Sequence, residues 1–347
     1  MAGLRELAGE QVRVAKGGAE IPRQRHPQGD RQSAGLLRPG RLSAFVANAM
    51  TVGGRSLRWR TERVRADGLD LRVGRRGSGP PLLLLTGIGA NIEMWQPFQR
   101  LVRGREVIAV DAPGTGRSER PRYPMRMGGL AGVMSALLDE LEVSRSDVLG
   151  YSFGGLLALE LAHRAPEKVR RLVLCATAQG LPVVPPNPLP ALMLMTPARY
   201  YPPRLLKLMI PYIAGGRTRR DPDQVELQAG ARLLSPPHLL GYAYQLYAAS
   251  GWTSVPWLRD VTQPSLIIAG DDDPIIPLAN PRIMAHLMPT AKLRVVKGGG
   301  HLFLIDEPES VIEDIHAFLE DLPTATGAAP PRPQTRWGER ASVYKDR

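Results

Sequence analysis

The sequence predicts a doubly wound, mostly parallel α/β sheet with a helical segment inserted into it, and three observations carry that expectation. Six short runs are dominated by apolar residues, as strands covered on both faces are. Most stretches between them show helical spacing of apolar residues. One long stretch, residues 181–257, interrupts the alternation without a strand pattern of its own. Strand, helix and strand in repetition build a parallel sheet with helices on both faces, and such sheets bind ligands at the carboxyl ends of their strands.

Along the chain, residues 1–49 are rich in Gly, Arg, Gln and Pro and lack periodicity; they are expected to be a disordered leader. Met50 opens "MTVGGRSLRWRTERVRADGLDLRVGRRG", a lead-in of paired strands, and is an alternative start. The six core strands are expected in "PPLLLLTGIG", "EVIAVDAPGTG", "DVLGYSFGG", "VRRLVLCATA", "PSLIIAGDDD" and "AKLRVVKGGGH". "MGGLAGVMSALLDELEV" and "LLALELAHRAPEKV" read as helices between them. The proline-rich insert contains "ALMLMTPARYYPPRLLKLMIPYI" and "HLLGYAYQLYAASGW" and is expected to form a helical cap over the carboxyl edge. The organisation is then a core in two parts, 50–180 and 258–322, a cap over 181–257 and a disordered tail, 323–347.

Of 347 residues, 43% are apolar, enough to bury a sizeable core. The net charge of +12 is not concentrated: residues 1–49 carry +4 and residues 323–347 carry +3, leaving +5 over the middle. No Arg/Lys stripe is interleaved with aromatics, so a nucleic-acid partner is not expected. The lone Cys175 excludes an intramolecular disulfide and a cysteine metal cluster, and its strand-like surroundings make it a buried structural thiol. No run approaches the roughly 18 apolar residues of a membrane span. The N-terminus lacks the apolar stretch of a secretory signal, so a cytoplasmic protein is expected.

Chemistry concentrates where the strands end. The third run closes on Gly150-Tyr151-Ser152-Phe153-Gly154 and leads directly into a helical pattern. G-x-S-x-G in that context is a nucleophile elbow, a strained turn that leaves the hydroxyl at the top of the sheet. The helix beginning at Phe153 aims its N-terminal amides at the same spot. A serine of ordinary pKa needs a base, and the base needs an orienting carboxylate. His163 and His316 lie within helical patterns, His238 in the insert and His26 in the leader. His301 differs, following a strand and three glycines in "VVKGGGHLFL" at the carboxyl edge. Asp271, Asp272 and Asp273 end the preceding strand; Asp273 is the expected acid, with its neighbours shaping the turn. Asp111, in "VDAPGTGRS", is expected to bond the glycine-rich turn after it. The order Ser, Asp, His is that of α/β-hydrolases. The amides of Phe153 and, from "LLLLTGIGAN", of Ile88 complete an expected oxyanion hole. This chemistry requires no metal or cofactor.

With these pieces in place, "TGIGANIEMWQPF", "VIAVDAPGTGRS", "RRDP", "GWTSVPWL" and "AGDDDPIIP" followed by "GHLFLI" resemble the intracellular medium-chain-length poly(3-hydroxyalkanoate) depolymerases. The resemblance covers residues 68 to about 320, the insert included. It implies a serine hydrolase with Ser152, Asp273 and His301 as its triad, acting on polyester at the surface of storage granules. Two departures bear on the acyl pocket: Phe153 stands where the family has tryptophan, and "VKGGGH" is one residue longer. The insert offers Leu192, Met193, Leu194, Met195, Leu205, Leu206, Leu208, Met209 and Ile210 as an adaptable wall for alkyl side chains. The rival readings are a small-ester or lactone hydrolase and, from another class, a non-catalytic receptor on the same fold. A dehalogenase or epoxide hydrolase would need a carboxylate at position 152, and a polymer synthase a cysteine.

Overall fold

In a computed structural model of the chain, the residues described are 51–52, 55–56, 59–196 and 202–320. The expected leader, 1–49, and tail, 323–347, lie outside them. Two-residue strands β1 (Thr51–Val52) and β2 (Arg55–Ser56) pair with each other. The main sheet has eight strands: β3 (Arg60–Ala66), β4 (Leu69–Gly77), β5 (Pro81–Leu85), β6 (Glu106–Val110), β7 (Ser146–Tyr151), β8 (Val169–Cys175), β9 (Ser265–Gly270) and β10 (Ala291–Val296). Their order is β10-β9-β8-β7-β5-β6-β4-β3. The pairs β3–β4 and β4–β6 are antiparallel and the others parallel. The first turn is Asp67-Gly68, both at positive φ, the two-residue hairpin turn that matches strand twist. All six apolar runs become strands of this sheet.

The apolar runs are explained by two cores, one on each face. Leu83 and Leu85 of β5 join the core beneath helices α2 (Met127–Glu140) and α3 (Phe153–Arg164). Leu82 and Leu84 join the opposite core, with Trp95 and Phe98 around the short α1 (Gln96–Gln99) and with Ile315 and Leu319 of α11 (Ile312–Glu320). Each of these leucines is essentially fully buried, worth roughly 1.5–3 kcal/mol relative to exposure. The edge strand β10 departs from the two-faced pattern. Lys292 and Arg294 are exposed, and Arg294 pairs with Asp314 of α11 at 2.8 Å. Cys175 is completely buried, and burial pushes its thiol far above the ordinary range.

Among the described residues five α-helices lie between β8 and β9: α4 (Pro188–Leu194), α5 (Pro203–Ala214), α6 (Gly216–Arg220), α7 (Pro222–Leu233) and α8 (Leu239–Ala249). Three prolines of this stretch open helices, as Pro188, Pro203 and Pro222 each stand in a first turn, where a missing amide hydrogen costs nothing; Pro211 stands inside α5. Asn187 and Asp221 cap α4 and α7 by accepting from Leu189 N and Asp223 N. A Gly180–Thr253 bridge joins the two ends of the stretch. After β9 come α9 (Ala279–Leu287) and, beyond β10, the one-turn α10 (Phe303–Asp306). Among the described residues no helix is long and apolar enough to cross a membrane.

Candidate active site

Parallel register sets the carboxyl ends of three neighbouring strands level: Leu85 of β5 pairs with Gly150 of β7 and with Val110 of β6. The turns that follow carry Ile88, Ser152 and Asp111. Ser152 joins β7 to α3 at φ 55°, ψ −119°, a region non-glycine residues occupy only when the surroundings enforce it. The flanking glycines permit the turn. A β-carbon on Gly150 would lie 2.4 Å from Gly154 O, and one on Gly154 would lie 2.1 Å from Leu85 O. No side chain fits at either position.

Two further loops, after β9 and β10, come to the same edge, because Gly270 and Val296 are level in the parallel pair. His301 Nε2 stands 3.0 Å from Ser152 Oγ, and His301 Nδ1 stands 2.8 Å from Asp273 Oδ2. Asp273 Oδ1 accepts from the amides of Ile275 and Ile276 at 2.8 and 2.9 Å, which fixes the carboxylate in one orientation. The neighbouring aspartates do other work. Asp271 Oδ1 accepts from Gly298 N at 2.6 Å, closing the loop before His301. Asp272 pairs with Arg219 and accepts from Gly216 N at 3.0 Å. Partial burial raises its pKa, but the Arg219 side chain, the Gly216 amide and the charge of Arg220 outweigh this and hold it below the usual range.

Ile88 lies in the loop after β5 and Phe153 is the first residue of α3. A β-carbon on Gly87 would stand 3.5 Å from Ser152 Cβ, so the loop after β5 packs directly beside the elbow. The Phe153 side chain is buried in the core beneath α3 and does not line the cleft. Phe153 therefore contributes to core packing rather than to the wall of the cleft.

Asp111 is fully buried. Its Oδ1 accepts from Ile92 N at 2.8 Å and its Oδ2 from Arg117 N at 2.9 Å and Arg72 Nη1 at 3.3 Å. It thus bonds the glycine-rich turn and also the far end of the loop that holds Ile88. Burial pushes its pKa up to about 6, against the pull of the Arg117 amide, the Arg72 charge and the Ile92 amide. Replacing Asp111 by Ala strands those buried donors, a loss of about 3 kcal/mol. The expected fall in melting temperature is about 5–10 °C, read by calorimetry against the parent chain.

The cleft above Ser152 has about 560 Å³ of empty space, its open mouth included. Besides Ser152 and His301 it is walled by Ile88, Met94, Leu194, Leu206, Ile210, Ile213 and Arg232. Of the nine insert residues expected to form that wall, only Leu194, Leu206 and Ile210 line it. Met209 is buried elsewhere, while Leu192, Met195, Leu205 and Leu208 are exposed on the outer side of their helices. Three supporting contacts had no counterpart in the sequence reading. Tyr151 Oη donates to His301 O at 2.8 Å, Ala214 O accepts from His301 N at 2.5 Å, and Gln245 Oε1 accepts from Gly89 N at 2.8 Å. Tyr151 sits within the elbow pattern and could have been noticed there; no local signal marks Ala214 or Gln245. Among the described residues no group of three or more His, Cys, Asp or Glu could hold a metal ion.

Fold and site together define a hydrolase, and residues 80–308 match the family described as alpha/beta hydrolase fold. The chain belongs to that family. Within it, the chain is 43% identical over 261 residues to a poly(3-hydroxyalkanoate) depolymerase of Ectopseudomonas oleovorans, covering 74% of this chain and 91% of that one. It is 31% identical to a 2-hydroxy-6-oxo-2,4-heptadienoate hydrolase of Pseudomonas putida, covering 74% and 95%. Among solved structures, a hydrolase of Pseudomonas aeruginosa superposes with a TM-score of 0.65 at 25% identity, covering 75% of this chain and 98% of that one.

Proposed function

We propose that this chain is a serine esterase that cleaves intracellular medium-chain-length poly(3-hydroxyalkanoate) through an acyl-enzyme intermediate. The observation that carries the reading is the Ser152–His301–Asp273 hydrogen-bonded chain at the floor of an apolar cleft. The 43% identical relative, named as a poly(3-hydroxyalkanoate) depolymerase, supports the polyester class.

In this reading Ser152 Oγ attacks the ester carbonyl while His301 Nε2 takes its proton. Asp273, itself held by two backbone amides, keeps the imidazole proton on Nδ1 and balances the charge that develops on the ring. The amides of Ile88 and Phe153 receive the oxyanion. Collapse of the tetrahedral intermediate breaks the ester C–O bond, and His301 returns the proton to the departing alcohol. Water, activated by the same nitrogen, then releases the acid from Ser152. Residues 50–180 and 258–322 act as the core, and 181–257 acts as a cap that shapes the acyl site. The enzyme works inside the cell, on polymer exposed at the granule surface.

The test is clearing of a suspension of medium-chain polyester by the purified protein. Soluble 3-hydroxy acids are expected to accumulate with the parent chain and not with the Ser152→Ala variant. Turnover of soluble esters without attack on the polymer would leave a small-ester or lactone hydrolase. Binding without turnover of either would leave a receptor.

A further inference from the structure

The apolar side chains of the insert fall into two sets, and the cleft accounts for one of them. On α5, Leu206, Met209 and Ile210 turn inward at helical spacing. The opposite face of the same helix carries Leu205, Leu208 and Tyr212, the last two 64% and 51% exposed. On α4, Leu194 lines the cleft while Leu189 and Leu192 stand in solvent, joined by Met195 at the C-cap; Leu192 is 70% exposed and Met195 61%. A helix on the surface of a globular protein ordinarily keeps polar residues on its outer face. Clustered exposure of large apolar side chains marks a surface that meets something.

The charge of the segment narrows what that is. Residues 181–257 contain seven Lys and Arg against three Asp and Glu, a net +4, while the rest of residues 50–322 carries only +1. Arg204, on α5 itself, is exposed. An ester polymer surface is apolar, and every cleavage on it leaves a carboxylate chain end. An apolar face with the exposed Arg204 on one of its two helices suits such a surface.

We propose that the outward faces of α4 and α5 adsorb the protein onto solid polyester, beside the cleft that the inward faces of the same two helices line. The proposal rests on the esterase reading above and adds the surface that delivers the substrate. Adjacent residues serve the two roles: Leu205 faces the particle and Leu206 the acyl chain. Interfacial binding of this kind scales with the apolar area buried and the charge attracted.

The experiment compares the full chain with a Leu192→Ser, Leu208→Ser, Tyr212→Ser triple variant. Adsorption is measured by co-sedimentation with medium-chain polyester particles, in a Ser152→Ala background so that the surface is not consumed. The triple variant is expected to lose at least tenfold in adsorption and, with Ser152 restored, a similar factor in polymer hydrolysis. Its turnover of soluble p-nitrophenyl octanoate is expected to stay within twofold, which also reports an intact fold. Leu192→Met with Leu208→Met is expected to adsorb as the parent does. Unchanged adsorption and clearing in the triple serine variant would overturn the proposed surface while leaving the esterase reading in place. A parent chain that neither adsorbs to nor clears polymer would overturn both. Stronger binding to phosphatidylglycerol vesicles than to polyester of equal area would make the partner a membrane and overturn the proposal. A solution dimer that the triple variant dissolves would make it a second copy, with the same consequence.

Discussion

Changing Ser152 to Ala, or His301 to Ala, is expected to lower ester turnover by roughly 10³-fold or more, because the members of a triad act as a unit and losing one forfeits most of what all supply. Ser152 is only partly buried and makes no cap contact with its side chain, so the melting temperature should change little. Asp273→Asn gives the sharper test. Asp273 Oδ1 accepts from two backbone amides, Ile275 N and Ile276 N. The asparagine carbonyl would take that place and leave its NH₂ facing His301 Nδ1. The imidazole proton would then sit on Nε2, and the nitrogen beside Ser152 could no longer accept. A loss on the order of 10³-fold or more is expected without unfolding. Asp272→Asn and Asp111→Asn should retain far more activity, since one carboxylate bonds the Gly215–Gly216 junction and the other the turns beneath the site. Steady-state kinetics on a p-nitrophenyl ester, with calorimetry beside it, measures all five variants. Near-normal activity in Asp273→Asn beside inactivity in either of the others would move the acid.

The second large effect concerns chain length. The cleft walls contributed by Met94, Leu194, Leu206, Ile210 and Ile213 are flexible aliphatic and thioether side chains, which adapt to alkyl groups of different shape. Each buried methylene contributes about 0.8 kcal/mol. Lengthening an acyl unit from four to eight carbons could therefore favour the longer ester by up to roughly 3 kcal/mol, around two orders of magnitude in kcat/KM. Activity is expected to rise from C4 to about C8 in a p-nitrophenyl series. Medium-chain polyester should be degraded in preference to the short-chain polymer at matched surface area. A maximum at C2–C4 with no attack on the medium-chain polymer would point to a generic small-ester hydrolase.

Much of this was legible along the chain because each signal is local. The leucines of "PLLLL" alternate between two buried faces, and that demand is written in five consecutive residues. The glycines around Ser152 are dictated by clashes with residues only four apart or on the adjoining strand. The insert was legible as helical, but which of its faces meets the cleft was not. Nine apolar residues were all candidates for the acyl wall, and three line it. A helix apolar on both sides carries no periodic cue to say which side is inward.

By itself the sequence determined the class of sheet, the turn that exposes Ser152, and the loops in which His301 and Asp273 had to lie. Only the tertiary structure decided that Nε2 of one loop comes within 3.0 Å of the hydroxyl of another and Nδ1 within 2.8 Å of a third. It alone brought Gln245 and Ala214, from the insert, to hold the loops of Gly89 and His301. Elbow geometry arises from steric limits on neighbouring residues, which a pattern records. The approach of Ser152 and His301, 149 positions apart, depends on parallel register and on how the insert folds back over the strand ends, and no stretch of residues records that alone.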